Sequence, residues 1–296
     1  MKKVVIDNLS DFELAHIFEC GQCFRWRKEE DGSYTGVTKY GVVNIRKEGN
    51  KAIIEGEFLN DSTAKKDILD YLDMECDYSN IKKIIEKDDI HMQAAIKYGY
   101  GIRILNQDPW EMIISYIISA ANNIPRISKT IENISRKYGK KIIYKDKEYY
   151  LFPTPEELSN STVEDLRALN LGFRDKYVYN AAKCVARGEI NIDEILALEY
   201  HEAKKELKKL PGIGDKVADC ILLFSMRKRE AFPVDTWIKK VMLELYGEEG
   251  SAQKLNQYAT KRFGKYGGIA QQYLFYYMRE TRSRWIAKNK RTLFII

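Results

Sequence analysis

Two hydrophobic periods divide the chain. In its first sixty residues, short apolar runs are broken by Gly-containing turns. Segment 24–27 (Phe24-Arg25-Trp26-Arg27) leads to Asp31-Gly32, then to 34–38 and to Val42-Val43-Asn44-Ile45-Arg46. Gly49-Asn50 forms the next turn, before Ala52-Ile53-Ile54. Runs of this length separated by such turns predict an antiparallel meander. From about Thr63 the spacing changes to a helical one, with Ile68, Leu69 and Leu72, then Ile81, Ile84 and Ile85. Segment 110–121 is apolar nearly all round and is expected to form a central buried helix. Pro109 sits in its first turn, and Asn122-Asn123 with Pro125 should end it. Further helices are expected at 126–137, 162–169, 176–187, 192–196, 200–210, 216–226, 235–245 and 268–280. The expected fold class is α+β: an antiparallel β unit with a helix over 1–78, packed on a larger helical body over 79–296. No internal repeat or low-complexity linker interrupts it.

Composition narrows the class. The 296 residues are 45% hydrophobic and 31% charged, as expected of a soluble globular protein. The net charge of +6 leans modestly toward an anionic partner. No run approaches the roughly 20 apolar residues of a membrane span, and Asp7, Asp11 and Glu13 interrupt any early signal segment. An intracellular location, cytoplasmic or beside the nucleoid in a prokaryote, is expected, with no membrane partner. The five cysteines do not form a disulfide framework. Cys20-Gly21-Gln22-Cys23 has the spacing of half a zinc site, but no second ligand pair accompanies it. Cys20 and Cys23 are therefore read as small buried residues. No catalytic metal or cofactor is expected.

The chemistry concentrates in Leu210-Pro211-Gly212-Ile213-Gly214-Asp215-Lys216. A helix runs into Pro211, the glycines turn the chain, and a second helix starts at once. Gly212 and Gly214 let backbone come close to a phosphate, and the free N–H groups of the second helix favour an anion there. This helix-hairpin-helix, within 200–226, suits a sequence-independent grip on DNA backbone. Lys216 adds catalysis. In a first helical turn the dipole disfavours its cationic form, burial would do the same, and a neutral amine is a nucleophile. Asp235, in Phe232-Pro233-Val234-Asp235-Thr236-Trp237, is placed to cap the next helix. The same carboxylate could stabilise a cationic sugar and assist proton transfer.

Leu210 through Asp235 resembles the signature of the helix-hairpin-helix DNA glycosylase superfamily. A lysine at the position of Lys216 marks its bifunctional members. For them the resemblance implies attack on the sugar's anomeric carbon, a Schiff base and strand cleavage by β-elimination. Members with an iron–sulfur cluster carry four cysteines after the hairpin, whereas none follows Cys220 here. Gly21-Gln22-Cys23-Phe24-Arg25-Trp26-Arg27, Gly101 through Pro109, and Lys216 through Ile221 are instead similar to the 8-oxoguanine DNA glycosylases. That resemblance implies double-stranded DNA containing 8-oxoguanine as partner and a monomeric enzyme. It also implies a pocket for an extruded base. The Gly21 carbonyl would accept from the N–H at position seven, which guanine lacks. Cys220 and Phe275 would cover the base's two faces, Gln271 would read its Watson–Crick edge, and Pro233 would line the pocket. Phe173 and Arg174 would enter the duplex, with Asn122 and Arg126 near the opposite base.

Two other readings stay open: a glycosylase for a different damaged base, whose members generally lack the lysine, and a non-catalytic DNA-binding protein. One departure from the family has a consequence. The run Ser119-Ala120-Ala121-Asn122-Asn123 is similar to a family segment with three asparagines, and its first falls at Ala121, which cannot hydrogen-bond an orphaned cytosine. We expect a weaker preference for cytosine opposite the lesion than the family's eukaryotic members show, and comparable excision rates opposite all four bases would support it. A cytosine preference on the order of a hundredfold would overturn that expectation.

Overall fold

The structure is a computed structural model that describes residues 2–60 and 63–293. Five antiparallel strands form the N-terminal sheet: β1 (Lys2–Ile6), β2 (Trp26–Lys28), β3 (Tyr34–Thr38), β4 (Gly41–Glu48) and β5 (Lys51–Gly56). Their order is β1-β5-β4-β3-β2, so β2 to β5 make the expected meander and β1 extends it beyond β5. The register sets Ile45 opposite both Tyr34 and Ile54, and Val4 opposite Ile54. With period-two alternation, these residues line one face with Val43 and Ala52. Phe12, Ile17, Phe18, Ile68, Leu72 and Leu105 cover that face. A second, small hairpin, β6 (Lys141–Tyr144) and β7 (Lys147–Tyr150), brings Tyr144 to Val37 and Val42 on the sheet's opposite face.

The helical body holds the larger core. The helices that position the site are α1 (Pro109–Ser119), α2 (Ile124–Tyr138), α3 (Asp175–Ala186), α4 (Tyr200–Leu207), α5 (Asp215–Ser225), α6 (Thr236–Tyr246) and α7 (Gly267–Leu293). As its composition predicts, α1 is buried along its whole length and packs on α5. It starts where Asp108 accepts from Glu111 N and Pro109 takes N1. Pro125 does not end this helix, as the sequence suggested. It lies in the first turn of α2, whose N-cap is Asn123. The chain turns between them at Ala121, which adopts a left-handed φ of +48°.

The N-terminal sheet and the body are stitched by buried polar groups. Gln22 is 0% exposed. Its Nε2 donates to the carbonyls of Ile17 (2.9 Å) and Arg103 (2.8 Å), and its Oε1 accepts from Leu105 N (2.9 Å). Two sequence segments far apart in the chain are thus joined by one amide. Cys20 and Cys23 are both buried and go to different cores, Cys20 to the body's and Cys23 to the sheet's. Among the described residues no group of three or more potential ligands gathers to hold a metal. No described helix is long and apolar enough to cross a membrane.

Arg25, just before β2, meets Glu111 of α1 at 3.6 Å, with both side chains buried. Burial pushes the Glu111 carboxyl from its ordinary 4.5 up to about 7, and the guanidinium offsets only part of that push. The native state therefore binds this proton more tightly than the unfolded chain does. Stability falls as pH rises from 4.5 toward about 7 and levels off above it. Glu111→Gln should gain on the wild type between about pH 5 and about pH 8, by about 3 °C in Tm. An equal difference at both pH values would contradict this coupling.

Candidate active site

The hairpin sits between α4 and α5. Leu210 N bonds to Leu207 O at 3.1 Å, and Ile213 N bonds to Leu210 O at 3.2 Å, which tightens the turn. Gly212 needs to be glycine: its φ is +91°, and a Cβ there would lie 2.7 Å from the Tyr177 ring. Gly214, the N-cap of α5, has open space where its Cβ would be, so the first N–H groups of the helix can be approached. Lys204 of α4 braces the hairpin through Asp219 of α5, which is buried and also accepts from the Tyr200 hydroxyl at 2.7 Å.

Lys216 projects from the first turn of α5 and is half-buried. Its Nζ lies 5.6 Å from the centroid of the Tyr116 ring. Asp235 caps α6, with its side chain accepting from Ile238 N at 2.8 Å. Pro233 is buried in the loop just before it. Cys220 reports how these groups converge. Burial pushes its thiol up to about 11, the Lys216 ammonium pulls it down, and the Asp219 and Asp235 carboxylates push it up. A thiol held neutral in this way offers an apolar contact rather than a nucleophile. Lys216 and Asp235 are thus both within electrostatic reach of Cys220, although nineteen residues separate them in the chain.

Gly21 lies beside Phe275. Its φ of +91° is left-handed, and a Cβ there would lie 2.9 Å from Arg279 Nη1, 3.4 Å from Phe275 Cε1 and 3.7 Å from Ile124 Cδ1. Gln271, one turn before Phe275 on α7, is 5% exposed. Its Oε1 is buried and receives no hydrogen bond from any described residue. An orphaned buried acceptor on the helix that carries Phe275 marks a place where a ligand's donor would be welcome.

The residues expected at the duplex lie on neighbouring turns. Phe173 is 61% exposed, on a short turn beside Tyr177, which itself packs on Gly212. Arg174 is not exposed. It is 6% accessible, with Nε 2.8 Å from Ala120 O, Nη2 3.0 Å from Ala121 O and Nη1 3.2 Å from Leu171 O. In this structure it clamps the left-handed Ala121 turn. Burial and the nearby Arg126 charge lower its pKa. Arg126 is exposed at the start of α2. The Asn122 amide is committed to Ile118 O at 3.1 Å and Asn123 N at 3.0 Å.

Three residues escaped the sequence reading: Tyr116, Gln22 as a cross-link, and Arg279. The signal for Tyr116 was present, a hydroxyl-bearing ring within the apolar run of the buried helix. The other two depend on segments remote in sequence.

A hairpin with open N–H groups, followed by a lysine and a capping aspartate, defines a helix-hairpin-helix DNA glycosylase. Residues 114–265 match the HhH-GPD superfamily of base excision DNA repair proteins, and residues 4–113 match the 8-oxoguanine DNA glycosylase N-terminal domain. The chain belongs to the N-glycosylase/DNA lyases of the 8-oxoguanine DNA glycosylase family. It is 30% identical to the N-glycosylase/DNA lyase of Saccharomyces cerevisiae, over 86% of this chain and 73% of that one. To the probable N-glycosylase/DNA lyase of Methanothermobacter thermautotrophicus it is 28% identical, over 92% and 95%. Its fold superposes on the Clostridium acetobutylicum 8-oxoguanine glycosylase/lyase, crystallised with double-stranded DNA containing cytosine opposite 8-oxoguanine. The TM-score is 0.90 at 44% identity, with 95% of this chain and 96% of that chain covered.

If Gln271 serves a ligand rather than the core, its unpaired oxygen destabilises the free protein by about 1–3 kcal/mol. Gln271→Met, which keeps the volume, should raise Tm by about 2 °C and lower excision of 8-oxoguanine about tenfold. A loss of both stability and excision would assign Gln271 to the core instead.

Proposed function

We propose that this enzyme excises 8-oxoguanine from damaged duplex DNA and nicks the resulting site, with Lys216 as nucleophile and Asp235 as its carboxylate partner. The observation that supports the assignment most directly is a lysine in the first turn after the hairpin and an aspartate capping the next helix, both within electrostatic reach of buried Cys220. The hairpin's Gly214 and the first turn of α5 hold backbone phosphate. Phe173, exposed on its turn, fills the gap left by the extruded nucleotide. Arg126, Asn122 and Arg174 lie by the opposite strand, Arg174 after releasing the Ala120 and Ala121 carbonyls. The base enters between Cys220 and Phe275, beside Pro233. Gln271 Oε1 accepts from its Watson–Crick edge, and the Gly21 carbonyl accepts from the N–H at position seven. Guanine has no donor there, so a buried acceptor would be left unpaired, which supports discrimination.

The Lys216 amine forms a bond to the anomeric carbon as the glycosidic bond breaks, and the base departs with the bonding electrons and gains a proton. The Asp235 carboxylate stabilises the cationic character that develops on the sugar. Opening of the sugar gives a Schiff base to Lys216. Loss of a proton from the neighbouring carbon then expels the 3′ phosphate and cuts the strand. The enzyme works as an intracellular monomer at the chromosome, and its helical body over 79–296 supplies all of these groups except Gly21.

Borohydride should trap a covalent complex between the wild-type chain and 8-oxoguanine duplex, by reducing the Schiff base. Lys216→Gln should abolish trapping and retain duplex binding within about threefold, because phosphate contacts dominate affinity. Absence of trapping with the wild-type chain would remove this reading.

A further inference from the structure

Tyr116 sits in the middle of α1 and is 3% exposed. Phe224 stacks on its ring at 5.8 Å and 14°, and Phe24 meets it edge-on at 5.6 Å and 69°. These contacts fix the plane of the ring. Lys216 Nζ lies 5.6 Å from its centroid, within reach of a cation–π attraction. The phenol hydroxyl points elsewhere and donates to the Gln22 carbonyl at 3.3 Å. That carbonyl also accepts from Gln107 Nε2 at 2.8 Å. Gln22 follows Gly21 directly, and its side chain is already tied to Ile17, Arg103 and Leu105. One buried side chain therefore has its ring 5.6 Å from the amine of Lys216 and its hydroxyl on the carbonyl of Gln22, the residue after Gly21.

We propose that Tyr116 is a positioning residue that couples lesion sensing to the nucleophile: its ring holds the Lys216 amine, and its hydroxyl holds the Gly21-Gln22 loop. The proposal rests on the roles of Lys216 and Gly21 given above. A lysine has a long flexible stem, and a wall on one side removes rotamers that miss the anomeric carbon. A misplacement of about 1 Å can slow a reaction about a hundredfold. The hydroxyl acts on a different step. Gly21's left-handed backbone leaves its carbonyl free to swing unless the following peptide is pinned. Removing the hydroxyl should loosen base recognition and leave the wall standing.

The test measures two single-turnover rates for each protein: excision of 8-oxoguanine, and cleavage at a preformed abasic site, which needs Lys216 but no base recognition. Tyr116→Phe should lower excision about fivefold more than abasic-site cleavage, as expected for one hydrogen bond. Tyr116→Leu should lower both rates about tenfold or more, since the ring is gone. Thermal midpoints are recorded for both variants. If Tyr116→Leu does not fold, the Tyr116→Phe ratio alone decides. Equal effects of Tyr116→Phe on the two rates, or none on either, would overturn the proposal, as would a folded Tyr116→Leu variant that cleaves abasic sites at the wild-type rate. Failure of the wild-type chain to excise 8-oxoguanine would overturn the function itself and the coupling with it. Wild-type excision with an unchanged ratio would overturn the coupling alone.

Discussion

The structure depends on one buried amide. Gln22 has no exposed surface, so its donors and acceptor must find partners inside the protein. They find them on backbone groups of two segments, 17 and 103–105, which lie on either side of the joint between the sheet and the helical body. A hydrogen bond has a narrow range of lengths and angles, so satisfying this side chain leaves little freedom in how the segments meet. The loop carrying Gly21 is then fixed against the run that leads into α1. Because α1 packs on α5, Lys216 inherits the same frame of reference.

Gln271 Oε1 is buried without a hydrogen bond from any described residue, and Ala121 adopts a left-handed conformation that costs a non-glycine residue about 1 kcal/mol. Arg174 is folded inward, and its donors to the Ala120 and Ala121 carbonyls hold that conformation. Structural features of this kind persist where surrounding contacts over-determine them, and they cluster at functional sites. Here they include Gln271 and the turn beside Arg126, and others occur away from them, such as the buried Tyr138 and Ser161 hydroxyls and the left-handed Asp73 and Arg227.

Local pattern revealed some elements and hid others. The meander from β2 to β5 and the buried helix α1 were legible because their periods are strong. The β6–β7 hairpin was not. Its two-residue turn is Lys145-Asp146, both with positive φ, at 48° and 61°, where Asn-Gly would have been the recognisable signal. Strand β1, Lys2–Ile6, also went unread, although it pairs with β5 along its whole length. The helix at Ala252–Phe263 also went unread, and α7 runs well past the expected end at 280.

By itself the sequence determined the hairpin, the lysine in the first turn of the helix that follows and the aspartate that caps the next. These are local consequences of Pro and Gly stopping and turning the chain and of polar side chains capping helix ends. It also placed Gln271 and Phe275 on one helical face, because residues four apart always share one. Which of these meet was decided only by tertiary packing. Gly21 lies 254 residues before Phe275 in the chain and a van der Waals contact from it in space. Tyr116 reaches both Lys216 and Gln22 because α1 is buried between them. No periodicity encodes such distances. They arise when buried polar groups must be satisfied and apolar faces must close over one another, and both conditions are set by the whole chain at once.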